Sequence, residues 1–214
     1  RLIAYSSVAH MGYIVLGLFA LNIQGLSGSW IQMINHAIVT GALFLVVGMI
    51  YERTHTQEIS EYGGVAHTMP KFAIFLVFFS LASVGLPGLN GFVGEILTMI
   101  GAARVNIWYG ILAAFGVLIA AIYMLWMVQR VLFGPLTKEL VKGLNDFSFR
   151  EVVVLVPLVF WTIFLGVYPQ PFFGRIEVSI NHYIELIKSH EPRFAQDEAE
   201  SSGLAKFVVW NLGD

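Results

Sequence analysis

An all-α, polytopic transmembrane helix bundle of five spans, one of them discontinuous, is the fold that this sequence predicts, and three observations predict it. Hydrophobic residues make up 57% of the 214 positions and charged residues 12%, against about 25% charged in a soluble domain. Five apolar runs reach the roughly 17–25 residues that a spanning helix needs. One of them carries Gly85-Leu86-Pro87-Gly88-Leu89-Asn90-Gly91-Phe92-Val93-Gly94-Glu95 in its middle. Glycine costs about 1 kcal/mol and proline about 3 in a helix interior, so a helix breaks there. Non-helical backbone at membrane depth survives only where protein or a water-filled cavity surrounds it.

The first span is residues 2–22, holding Ser6, Ser7 and His10, and the second is residues 30–51, holding Gln32, Asn35, His36 and Thr40. Residues 23–29 read as a Gly/Ser turn between them. Residues 52–69 form a polar loop with Glu52, Arg53, His55, Glu58, Glu61 and His67, containing the Gly63-Gly64 break. The broken third span is residues 70–103, with a short turn around Arg104 and Asn106. The fourth is residues 107–133, ended by Gly134-Pro135; residues 136–150 form a second charged loop, and residues 152–168 the last span, closed by Pro169 and Pro171. Residues 1–170 are thus the transmembrane bundle. Residues 171–190 read as an amphipathic helix at the interface, with Ile176, Ile180, Tyr183, Ile184 and Ile187 opposite Arg175, Glu177, Glu185 and Lys188. Residues 191–214 form a polar tail, acidic and disordered over 191–200, whose Phe207-Val208-Val209-Trp210 is too short to span and is placed to dock on a neighbour.

Lysines and arginines gather in cytoplasmic loops. Arg1, Arg53, Lys71, Arg130, Lys138, Lys142 and Arg150 fall on one side of this topology, and Arg104 alone falls in the opposite turns. The first span therefore runs from the cytoplasm or matrix outward, and the residues after Tyr168 lie outside. With no cysteine and a net charge of -2, thiolate metal sites, disulfides and nucleic acid as a partner are excluded. The loop and tail histidines, His55, His67, His182 and His190, have no ligand spacing on a helix with a third donor nearby, so no metal is expected. There is no phosphate-binding glycine loop and no Ser–His–Asp set; no cofactor is expected either.

Glu95 is the residue that needs explaining. A charge at mid-membrane costs about 2.5–3.5 kcal/mol on insertion scales, and burial favours the neutral form of a carboxyl. A carboxyl poised near ambient pH both takes and gives a proton easily. The alternative is a structural glutamate paired with a basic residue of a neighbouring helix. His10 and His36 are the ionisable side chains of the first two spans, and histidine serves in proton relays; the alternative for both is interhelical hydrogen bonding, worth about 0.6 kcal/mol on average. Asn35 beside His36, with Gln32 and Thr40 one turn away on the same face, makes a polar relay the stronger reading there. Tyr123 is either a member of a water chain or, more commonly for a span tyrosine, packing. Gly12, Gly17, Gly41, Gly48, Gly110 and Gly116 signal close helix packing.

The motifs Arg1-Leu2-Ile3-Ala4-Tyr5-Ser6-Ser7-Val8-Ala9-His10-Met11-Gly12, Gln32-Met33-Ile34-Asn35-His36, Tyr51-Glu52-Arg53-Thr54-His55-Thr56 and the stretch from Gly85 to Glu95 resemble the second half of the antiporter-like, proton-pumping subunits of respiratory complex I. The resemblance runs in order from Arg1 to Tyr168. It implies spans ten to fourteen of a fourteen-span subunit built as two inverted five-helix repeats, in the mitochondrial inner or bacterial plasma membrane. It makes Glu95 the terminal proton acceptor near the outward exit, with His36 and His10 on the hydrated axis leading to it. Sister branches, including Mrp-type cation/proton antiporter subunits, typically carry lysine at position 95, so the glutamate selects among them; an Mrp-type subunit without redox coupling is the alternative. The implied partners are the other membrane-arm subunits of complex I, including neighbouring antiporter-like chains, the first half of the same subunit, and lipids. The family's first-half glutamate and its lysines lie upstream of Arg1, so the chain is expected to be a fragment or one product of a split gene, unable to pump alone.

Overall fold

The computed structural model describes residues 1–136 and 138–190, and the acidic and aromatic segments expected in the tail lie outside them. Helix α1 spans Leu2–Phe19 and α2 spans Ile23–Thr54. A single turn, α3 (Val65–Thr68), precedes α4 (Pro70–Ser83), which begins on its proline, where the missing N–H is harmless. Then come α5 (Asn90–Val105), α6 (Ile107–Leu132), the single turn α7 (Glu139–Lys142), α8 (Phe149–Val167) and α9 (Gln170–His190). No strand occurs among the described residues. The chain is an integral membrane protein: α1, α2, α6 and α8 are long and apolar enough to cross a bilayer.

The segment expected as the broken third span is two helices, α4 and α5, separated by residues 84–89. At about 1.5 Å per residue they contribute about 21 and 24 Å. Gly85 and Gly88 take φ of 79° and 93° within the break, conformations that side-chain-bearing residues avoid. Gly166 of α8 packs directly on Gly88 and Leu89, covering the non-helical backbone with protein.

The expected turn at residues 23–29 is helical instead. Asn22 supplies the N-cap, its Oδ1 accepting from the Gly25 amide at 2.8 Å while its Nδ2 donates to the Gly101 carbonyl at 2.8 Å, so the real turn is residues 20–22. The glycines serve close approach: a Cβ on Gly28 would come 2.6 Å from the Thr98 amide, and one on Gly25 would come 2.7 Å from the Gly17 carbonyl. Small residues thus let α1, α2 and α5 touch backbone to backbone at this end.

The other end is packed with large side chains. Phe72, Leu76 and Phe79 of α4 lie among Leu43, Val46 and Ile50 of α2, Met124, Val128 and Leu132 of α6, and Leu155 of α8. The loop before α8 ties three helices together. Arg53 at the end of α2 donates both terminal nitrogens to Glu151 of α8, at 2.7 and 2.8 Å, and its Nε to the Asn145 carbonyl. Asp146 accepts from the Lys71 and Phe72 amides and so caps α4 from another part of the chain. Ser148 and Glu151 form a capping box on α8. The basic residues of this loop system share one end: Lys71 donates to the Phe147 carbonyl, Lys138 pairs with Glu61, and Arg1 and Arg130 line one cavity of about 630 Å³ with Tyr51 and Glu58. Arg104 is in the last turn of α5, beside the turn capped by Asn22.

Candidate functional site

Helix α1 presents Ser6, His10 and Tyr13 on its buried face, α2 presents Gln32, Asn35 and Thr40, and α5 presents Asn90, Glu95 and Thr98. The polar face of each helix is turned inward because the outer face of α1 (Tyr5, Val8, Met11, Val15) and of α6 (Trp108, Leu112, Phe115, Ile119) is apolar and exposed. Glu95 is 4% exposed and His10 5%, so both ionisable side chains are sealed from the surface.

The structure brings the three sequence-predicted residues into one cluster. Nδ1 of His10 lies 3.3 Å from Oε1 of Glu95. The alignment is not that of a hydrogen bond, and Nδ1 has no hydrogen-bond partner among the described residues. Nε2 of His10 is 3.1 Å from Oγ of Ser83, the last residue of α4. The imidazole of α1 therefore spans the break, facing the end of α4 on one side and the carboxyl of α5 on the other. His36 follows, its ring centroid 5.5 Å from that of His10, with Nδ1 3.1 Å from the Thr40 hydroxyl one turn on. No lysine or arginine of the described residues pairs with Glu95; the basic residue of a neighbouring helix that faces it is His10, so this contact is common to the proton-transfer reading and to the structural pairing.

Around the cluster, Asn35 Nδ2 donates to the Asn90 carbonyl at 2.7 Å, tying α2 to the first residue of α5. Gln32 packs on Gly94 so tightly that a Cβ there would collide with it. Oε2 of Glu95 lies against Gly85, where a Cβ would meet the carboxylate. Several buried polar atoms have no hydrogen-bond partner among the described residues: Gln32 Oε1, Asn35 Oδ1, both side-chain polar atoms of Asn90, Thr98 Oγ1 and the Tyr123 hydroxyl. Unpaired buried groups are costly, about 1–3 kcal/mol each, and such a chain of donors and acceptors suits transient hydration. Ser6, expected near His10, bonds instead to the Ile3 carbonyl of its own helix. Ser83, Asn90 and Tyr13, whose hydroxyl donates to the Ala113 carbonyl at 2.5 Å, were not singled out by sequence reasoning. A serine in an apolar helix is unremarkable until its partner is known, although the placement of Ser83 and Asn90 on the two edges of the break was a usable signal. Among the described residues no group of three His, Cys, Asp or Glu side chains is arranged to hold a metal.

Comparison with known proteins identifies the family. The family model described as "NADH:quinone oxidoreductase/Mrp antiporter, TM" matches residues 1–120. The chain is 49% identical over 185 residues to NADH-quinone oxidoreductase subunit M of Rhodobacter capsulatus, covering 86% of this chain and 36% of that protein. It is 40% identical to NADH-ubiquinone oxidoreductase chain 4 of Marchantia polymorpha, covering 86% of this chain and 37% of that protein. Among solved structures, respiratory complex I from Thermus thermophilus superimposes with a TM-score of 0.80 at 34% identity, over 86% of this chain and 38% of that one. An archaeal respiratory membrane complex, the membrane-bound sulfane sulfur reductase, gives 0.68 at 29% identity, over 78% and 28%. The chain spans little more than a third of the length of the curated relatives it matches. With a family model matched over more than half of its length, on the helices that build the buried cluster, the chain belongs to the NADH:quinone oxidoreductase/Mrp antiporter transmembrane family.

Proposed function

We propose that this chain translocates protons across an energy-transducing membrane, the bacterial plasma membrane or the mitochondrial inner membrane, as a non-redox part of an NADH:quinone oxidoreductase. In this reading α4 and α5 together form the broken third span, the Arg53 end faces the cytoplasm or matrix, and α9 lies at the opposite interface. A proton moves from His36 through His10 to Glu95, and Glu95 releases it outward. The chain carries no redox centre; electron transfer in partner subunits alters the hydration and charge of the polar axis. Those partners are the other membrane-arm subunits, with the remainder of the subunit supplying the upstream proton-transfer groups.

One observation carries the proposal: a buried carboxyl and a buried imidazole 3.3 Å apart at the break of a helix, with a second imidazole next in line. Histidine and carboxyl exchange protons near neutral pH, and protein-covered broken helices are where membrane proteins place ion pathways. Similarity to subunits of NADH-quinone and NADH-ubiquinone oxidoreductases and to respiratory complex I favours redox coupling over an Mrp-type antiporter.

The test is Glu95→Gln in the assembled full-length complex, with NADH oxidation and acidification of inverted vesicles followed together. Glutamine keeps the volume and removes the titration, so the complex assembles and the protons moved per electron fall. Full pumping by an assembled Gln variant would remove Glu95 from the mechanism. His36→Ala is expected to give a milder loss of pumping; failure to assemble would mark it as packing instead.

A further inference from the structure

Among the described residues the hydroxyl of Ser83, like that of Ser29, which donates to the Ile14 carbonyl of α1, reaches across to another helix, and its partner is a titratable ring. Ser6, Thr54 and Thr68 each turn back to a carbonyl of their own helix, three or four residues earlier, the usual resting place of a hydroxyl in a helix. Ser83 does not. It ends α4 at the edge of the break and reaches across to Nε2 of His10 on α1, seventy-three positions away, in a buried contact of 3.1 Å. The other ring nitrogen of the same imidazole faces Glu95. Ser83 also lines a cavity of about 10 Å³ together with both His10 and His36, and with Gln32, Asn35 and Thr40, about the volume of one water-sized sphere. The hydroxyl therefore shares one small cavity with both imidazoles and contacts Nε2 of His10 directly.

We propose that Ser83 is a proton-transfer group linking His36 to His10, an inference that rests on the proton-translocating reading above. A hydroxyl has one donor and two acceptor positions, so it passes a proton without becoming charged. In the loaded state His10 is neutral with its proton on Nδ1, facing the Glu95 carboxylate, and Ser83 donates to Nε2. A proton arriving from the His36 side forms a new O–H bond at Oγ; the original O–H bond of Ser83 breaks as Nε2–H forms; Nδ1–H breaks as the Glu95 carboxyl is protonated. One proton enters at Ser83 and one is held on Glu95, while serine and imidazole stay neutral, the imidazole in its other tautomer. Once Glu95 has discharged, rotation of the hydroxyl and of the imidazole ring, which brings the protonated nitrogen back to the Glu95 side with no bond made or broken, resets the link.

The experiment uses the assembled full-length complex in inverted membrane vesicles, reading protons moved per NADH oxidised for Ser83→Ala, Ser83→Thr, His10→Gln, Glu95→Gln and the Ser83→Ala/His10→Gln double variant. The expected result is that Ser83→Ala loses pumping to the same level as His10→Gln, that the double variant loses no more, and that threonine, which keeps the hydroxyl, recovers it. Unchanged pumping in Ser83→Ala, or losses that multiply in the double variant, would overturn the link. Should the alanine variant fail to assemble, Ser83→Cys keeps the volume with only a weak donor and is read by the same criteria. Loss in Glu95→Gln with full pumping in Ser83→Ala defeats the Ser83 link alone, whereas full pumping in Glu95→Gln defeats the translocation reading and the link with it.

Discussion

Gly85 shows how far a single residue governs the cluster. Its φ of 79° already excludes most side chains, at about 1–2 kcal/mol for a Cβ in that region, and Oε2 of Glu95 occupies the space that a Cβ would take. Gly88 has a similar φ of 93°, but nothing lies within 4 Å of where its Cβ would point. Gly85→Ala is therefore expected to depress pumping more than Gly88→Ala at comparable loss of thermal stability, because only the first displaces the carboxyl. Equal effects on pumping would show that strain in the break matters and the carboxyl contact does not. At this scale the sequence was informative where a side chain is costly in a membrane: Glu95, His10 and His36 stand out because an ionisable group at that depth needs a reason. Ser83 and Asn90 did not stand out, since a small polar residue in a helix has an inexpensive local bond to fall back on and only the fold shows whether it uses it.

Between helices, the loop clamp at the Arg53 end holds α2, α4 and α8 in mutual register. Asp146 serves as a cap supplied from 75 positions away, satisfying amides that α4 cannot satisfy itself. Asp146→Ala is expected to lower the stability of the detergent-solubilised complex by about 1–2 kcal/mol, seen as an earlier thermal inactivation, with Asp146→Asn milder because one acceptor oxygen remains. An unchanged inactivation temperature would mean that water replaces the cap at no cost. Arg53→Lys should also destabilise, since lysine keeps the charge but not the two-pronged geometry on Glu151. Helix limits were mostly readable from hydropathy: α6 at Ile107–Leu132 and α8 at Phe149–Val167 lie within three residues of the expected ends. The start of α2 was not, because glycine and serine have the same low helix propensity whether they make a turn or a packing seam, and the seam exists only once α5 lies against it.

For the whole molecule, the proposed orientation has a direct test, because the chain contains no cysteine. Single cysteines at the exposed positions Gln57 and Gly143, near the Arg53 end, and at Asn106, in the opposite turn, should react with a membrane-impermeant maleimide from opposite sides of sealed vesicles. Gln57→Cys and Gly143→Cys should label from the cytoplasmic or matrix side, and Asn106→Cys from the other; labelling of all three from one side would overturn the topology. By itself the sequence determined that this is a helical membrane protein, where most of its helices run, where one segment breaks, and that Glu95, His10 and His36 are ionisable groups within its apolar runs. Those properties follow from transfer free energy and backbone geometry, which are local to each stretch of chain. Only the tertiary structure decided that the imidazole of His10 faces both edges of the break, that Ser83 is its second partner, and that the glycines before Trp30 are a helix seam. Each of those is a contact between positions far apart in the chain, set by how closely α1, α2, α4 and α5 can approach, and no single segment encodes that distance.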